Sequence, residues 1–183
     1  MVSLKTVGER FYHHFEVIDN GTGFVRGILS ETEQQSQPSY VFVAPRHVFR
    51  TPHPTALRPG MAIRDRIGDV FIVGVNGPSE RREGTLWQSF RLMQATGQYT
   101  WTRRRRIMDP ITKTLRENGV EDKGLIWAAL EALDREVTDR EMRQNFEQRR
   151  VITGANIQAG DLIDNQAITK VDTQLGLRIG VLT

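Results

Sequence analysis

The sequence predicts an α+β chain that is mainly β. Residues 1–106 read as a small barrel or sandwich, 107–150 as a helical segment centred on 109–149, and 151–183 as a short C-terminal β hairpin packed on or completing the first sheet. Three observations carry this. Turn signals separate short apolar runs at close spacing up to Gly97, the pattern of small antiparallel architectures. Residues 109–149 switch to apolar spacings of three and four, the period of an amphipathic helix. The tail then returns to apolar runs bounded by turns.

Taken in order, Leu4, Val7, Phe11 and Phe15 have helical spacing while Phe11, His13, Phe15 and Val17 alternate as in a strand, which favours a short helix running into a strand. Asn20-Gly21-Thr22-Gly23 separates Phe15–Ile18 from Phe24–Leu29, and Asn-Gly supplies the positive φ values of a tight hairpin. Residues 30–39 (SETEQQSQPS) are nearly devoid of apolar side chains and read as an exposed loop, followed by a short strand at Tyr40–Val43. Pro45, Pro52, Pro54 and Pro59 then mark an irregular connection, since proline has no N–H for a central strand. The strongest β block follows: Met61–Arg66, Val70–Val75, Leu86–Met93 and Gln98–Arg105, with turns at Ile67-Gly68-Asp69, Asn76-Gly77-Pro78-Ser79 and Ala95-Thr96-Gly97.

Asp109-Pro110 places an N-cap residue before a proline at a first helical position, and Asn118-Gly119 closes that segment. Ile126, Leu130, Leu133 and Val137 form an apolar stripe, and Thr138 with Glu141 has capping-box spacing ahead of Met142 and Phe146. In the tail, Ile157–Ile163, Ala167–Val171 and Leu177–Leu182 echo the earlier block: a Gly, an apolar pair, a polar turn, then a strand.

A chain of 183 residues is long enough to bury about 70% of its unfolded surface, so it can build its own core. The absence of cysteine excludes disulfides, thiolate nucleophiles and cysteine-ligated zinc. No run approaches the roughly 20 apolar residues of a membrane-spanning helix, and the first residues lack the apolar core of a signal peptide, which points to a cytoplasmic site of synthesis. Net charge is only +3, but residues 61–106 carry nine Arg and no Lys against four acids, whereas 107–150 carry eight bases and ten acids. Such asymmetry suits a nucleic-acid face or two complementary surfaces of an oligomer.

Catalytic chemistry finds no foothold. His13 and His14 are neighbours that a strand would point to opposite faces, and His47 and His53 lack ligand spacing to a carboxylate, so no metal site is expected. Asp65 with Asp69, and Asp161 with Asp164, flank turns, where aspartate bonds nearby backbone amides. There is no nucleophile elbow and no phosphate-binding Gly-Lys-Ser/Thr loop, so neither a catalytic residue nor a cofactor is assigned. The sharpest feature is Arg103-Arg104-Arg105-Arg106, preceded by Tyr99 and Trp101. Arginines beside aromatics suit nucleic-acid phosphates and bases, and equally suit carboxylates across a protein interface. Trp127, off the apolar stripe, is a candidate partner surface, as are Arg81 and Arg82 in the polar loop 76–84.

Two passages together carry a resemblance. Leu57-Arg58-Pro59-Gly60-Met61-Ala62-Ile63, followed by Gly68-Asp69-Val70-Phe71-Ile72-Val73-Gly74-Val75, resembles the core of tailed-bacteriophage head-closure, stopper and head–tail joining proteins. In those proteins a Pro-Gly turn leads into a strand, a Gly turn and a strand of type F/Y-x-V-x-G. Leu86–Leu92 resembles the next barrel strand, and Thr153–Ile163 resembles the β endings of virion proteins. The resemblance implies a non-enzymatic protomer of a six- or twelve-fold homo-oligomeric ring in the virion neck. Its implied partners are portal or adaptor and tail proteins, with possible transient contact with packaged DNA. The helical segment departs from a plain stopper and leaves gateway, adaptor and collar roles open.

Overall fold

The computed structural model describes residues 13–18, 23–31, 47–77, 79–82, 84–132 and 149–183. Every regular element in them is a strand: β1 His13–Val17, β2 Phe24–Glu31, β3 His47–Pro52, β4 Ala62–Arg64, β5 Val70–Asn76, β6 Glu80–Arg82, β7 Thr85–Gln94, β8 Gly97–Met108, β9 Leu115–Ala132, β10 Arg149–Thr153, β11 Leu162–Ile163, β12 Gln166–Gln174 and β13 Leu177–Leu182. Over the described residues the fold is all-β, and the α+β expectation is corrected.

The correction falls on 109–132, which with Arg149 is the described part of the 109–149 segment. Ile126 and Leu130 lie four apart, a spacing that satisfies both a helix and a strand. The strand wins: Ile126, Ala128 and Leu130 alternate inward onto one core, while β9 pairs with β8 from Leu115 to Ala128 and with β10 from Ala128 to Ala132. Asp109 does cap backbone amides, with Oδ1 accepting from Ile111 N at 2.8 Å and Thr112 N at 3.1 Å. Lys113, at φ 56°, then turns the chain back instead of continuing a helix. Asn118-Gly119 sits at a bulge inside β9, not at an element end. The predicted N-terminal helix, the Asn20–Thr22 turn, the Tyr40–Val43 strand and the residues from Leu133 to Phe146 lie outside the described residues.

The chain divides into two compact units, 1–95 with Leu175–Leu177, and 96–174 with 178–183. In the first, the order β3-β2-β1-β4-β5-β7 closes through a β3–β7 pairing, and β6 continues along the edge of β7 that β5 pairs with. Its core holds Phe15, Phe49, Ile63, Phe71, Phe90 and Leu92, with Phe15 meeting Phe49 and Phe71 edge-on at 5.0 and 5.7 Å. In the second, β10-β13-β12-β11-β8-β9 forms a closed barrel around Ile126, Val151, Ile157, Ile163, Ile168 and Leu182. Closure matters because it removes the unpaired strand edges that an open sheet would expose.

The two circuits are the same. Taken in chain order and leaving β6 aside, first pairs with second, second with third, third with sixth, sixth with fifth, fifth with fourth and fourth with first in both barrels. Local details agree. The Thr51 hydroxyl, ending the third strand, donates to the Arg26 carbonyl of the second at 3.0 Å, and the Thr153 hydroxyl donates to the Trp127 carbonyl at 2.8 Å. Gly60 and Gly160 have φ of 93° and 91°, which a residue with a Cβ adopts only at a cost. Their amides donate to the Val73 and Ile168 carbonyls, each at 2.7 Å, and the return bonds run from Val73 N to Met61 O and from Ile168 N to Asp161 O, each at 2.8 Å. The echo between the β block and the tail is thus a structural repeat, the second copy standing one hundred residues after the first at the glycine.

Candidate assembly surface

Within the second unit, β8 and β9 outrun the barrel. β11 meets β8 only at Trp101 and Thr102, and β10 meets β9 only from Ala128 to Ala132. Beyond those contacts Arg103–Met108 and Leu115–Glu121 pair with each other alone, forming a two-stranded ribbon whose β8 arm is about 20 Å long at a strand's rise. Two bulges, between Trp101 and Thr102 and between Arg104 and Arg106, reset its register.

A lone hairpin is marginally stable in water, so something must hold this one. At the tip, Asp109 N donates to Thr114 O at 2.8 Å and Lys113 N to Asp109 O at 2.9 Å, and Arg116 Nε meets Asp109 Oδ2 at 3.0 Å. The capping bonds from the Thr112 and Ile111 amides hold the Asp109 carboxyl below its ordinary pKa. Along the shaft, Arg104 pairs with Glu117 at 3.1 Å and Arg105 with Glu121 at 3.4 Å. Lys123, at 2.6 Å, is the main reason the Glu121 carboxyl titrates low.

The base is held more firmly. Asp161, only 2% exposed, accepts from Arg103 Nε on Oδ1 and from Arg103 Nη2, Trp101 Nε1 and the Gln158 amide on Oδ2, all at 2.9 Å. Arg103 Nη2 also donates to Asn156 O at 2.9 Å, and its guanidinium lies 5.3 Å from the Trp101 ring centroid. Burial alone would push the Asp161 carboxyl up, but the bonds from Arg103, Trp101 and Gln158 outweigh it and hold the pKa below the ordinary value. The same carboxylate raises Arg103. Nearby, Asp164 Oδ1 accepts from the Thr100 amide at 2.8 Å and hydroxyl at 2.6 Å. Asp65 keeps the turn role predicted for it, its Oδ1 taking the amides of Ile67, Gly68 and Asp69.

The sequence-selected residues therefore separate. Tyr99 and Trp101 pack on the second core, with Tyr99 Oη 2.8 Å from Thr96 Oγ1. Arg103 belongs to the Asp161 anchor, Arg104 and Arg105 to cross-strand pairs, and Arg106 alone of the four has no ion pair among the described residues. Trp127 is half-buried on β9 beside the ribbon base. Arg81 and Arg82 sit on β6 in the first unit, Arg82 paired with Glu80 at 2.7 Å. Sequence reasoning gave Asp161 a turn role, which it keeps through the Gln158 amide, and missed its bonds to Arg103 and Trp101. Their signal was the repeat: Asp161 stands where the first copy has Met61, whose sulfur takes the Arg58 amide at 3.2 Å as Asp161 takes that of Gln158. An acid at a core-packed apolar position demands a cationic partner.

Apolar side chains are the ribbon's other content. Ile107, Met108, Leu115 and Val120 are each between 51% and 62% exposed, and Ile111 at the tip is 88% exposed. Among the described residues no cluster of His, Asp and Glu has the makings of a metal site, and no helix is long and apolar enough to cross a membrane. Comparison with protein-family models, curated proteins and solved structures finds no match to this chain.

Proposed function

We propose that the chain is a non-enzymatic virion assembly protein, part of the ring-shaped head-to-tail connection of a tailed phage that closes the head and docks the tail. The observation that carries the assembly reading is the ribbon. A rigidly capped, ion-paired arm that presents five apolar side chains to solvent has the composition of a protein-binding surface. The phage assignment within that class draws its support from the Leu57–Val75 and Leu86–Leu92 resemblance. The competing reading, sequence-independent DNA binding by the arginine run, requires cations free to displace counterions. Three of the four arginines are instead engaged by carboxylates of their own fold, which favours the protein interface.

The test is the mass of the purified protein by light scattering at low and moderate salt, with and without duplex DNA, together with its detection in purified particles. A concentration-dependent oligomer indifferent to DNA, and recovery of the chain in virions, are expected. A monomer that binds DNA at low salt and releases it at moderate salt would replace this reading with the DNA module.

A further inference from the structure

Two strand edges stay open on the ribbon. Among the described residues, Arg103–Met108 on β8 and Leu115–Glu121 on β9 have no strand on their outer sides, so each offers a row of unpaired amides and carbonyls of the kind that recruits another strand. The two edges carry opposite charge. The β8 edge opens with four arginines, and over 115–122 the β9 edge sets Glu117, Glu121 and Asp122 against Arg116. Within the ribbon this complementarity already operates, through Arg104–Glu117 and Arg105–Glu121. The exposed Ile107, Met108, Leu115 and Val120 flank the same edges. Neither arm contains a proline to block addition.

We infer that the ribbon adds edge to edge to the ribbon of a second copy of this chain, the basic β8 edge of one against the acidic β9 edge of the next. Main-chain bonds supply the pairing, Arg106 and Asp122, which have no ion pair among the described residues, supply the charged contact between edges, and the apolar side chains the buried area. A copy is the favoured occupant because one ribbon holds both halves of the complementary pair. Since the two edges differ, the contact is heterologous, and repeated copies propagate in one direction until they close. The inference rests on the assembly reading above and names the surface that performs it.

The absence of cysteine makes the experiment clean. Copies carrying Ile107→Cys are mixed with copies carrying Val120→Cys and treated with a short bismaleimide. The mixed pair is expected to cross-link several-fold more than either variant with itself. Alongside, the double variant Ile107→Asp plus Val120→Asp is sized by light scattering at concentrations where the native chain is oligomeric. It is expected to fall to the 20.9 kDa of one chain, with circular dichroism unchanged as the check on folding. A folded double variant that assembles like the native chain overturns this inference and leaves the assembly reading standing. A native chain that stays monomeric and yields no mixed cross-link overturns both, and self-linking within one variant as strong as mixed linking overturns the edge-to-edge polarity. Association that appears only with duplex DNA counts against the ribbon as a self-docking arm.

Discussion

The two barrels share a strand circuit, a threonine clasp and a glycine turn, yet they diverge beside that glycine. Met61 stands in the first copy and Asp161 in the second. The first copy answers with an apolar contact, Met61 packing against the core. The second recruits Trp101 and Arg103 from β8 and makes the turn an ionic anchor. The neighbouring hairpins differ accordingly. Among the described residues β1 spans five and β2 eight, whereas β8 and β9 run to twelve and eighteen. Closure of the barrel tolerates either length because the core, not the hairpin, holds the circuit. An arm that leaves the barrel needs a fixed point at its base, and Asp161 supplies one.

Breaking the shared element should cost most. Phe49 is fully buried against Phe15 in the first core, and Phe49→Ala is expected to destabilise by about 3–5 kcal/mol. Ile163→Ala, its counterpart test in the second core, is expected to cost about 2–5 kcal/mol. Chemical denaturation measures both; a loss under 1 kcal/mol in either would mean that closure does not depend on that core.

The difference itself is sharpened at Asp161. Asp161→Ala strands the Trp101 N–H and the Arg103 guanidinium, at a cost of about 3 kcal/mol. Introducing the first copy's residue as Asp161→Met should cost nearly as much while Arg103 remains. Combining Asp161→Met with Arg103→Met should recover most of the loss, because apolar replacement of a buried pair is often close to neutral. Non-additivity in that cycle, read by denaturation, is the diagnostic; strict additivity would show that the anchor is not a unit.

The smallest effect is that of acid. The Asp161 pKa is lower folded than its ordinary 3.8, so its contribution is fully present above that ordinary value and drains away as pH falls through the lowered folded value. Stability should decline across that window, and Asp161→Asn should flatten the decline. An unchanged slope in the variant would assign the acid sensitivity to other carboxylates.

Much of the β architecture was legible because turn chemistry and alternation agree over 57–105 and 157–182. Pro59-Gly60, Gly68-Asp69 and Asp164-Asn165 mark real turns, the last with φ of 45° and 66° at its two residues. The stretch after Asp109 was misread because local signals there are ambiguous in kind. An Asx cap forms the same bonds in a tight turn as at a helix start, and a spacing of four cannot separate period 3.6 from period 2. Only pairing with β8 and β10 decides between them, and such pairing is a long-range property. The arginine run stands out in the sequence as the chain's densest run of like charge. Its partners Glu117, Glu121 and Asp161 could not be assigned while 109–132 was read as a helix.

The circuit also sets an order of events. Each barrel is closed by its third and sixth strands, β3 with β7 and β10 with β13, contacts distant along the chain and therefore slow to find. As the polypeptide leaves the ribosome, the first circuit has all its strands once Gln94 has emerged, whereas the second must await Leu182. During that interval β8 and β9 are already made and able to zip as a local hairpin. The arm can thus exist before the barrel that carries it, and Asp161, arriving late, locks it in place.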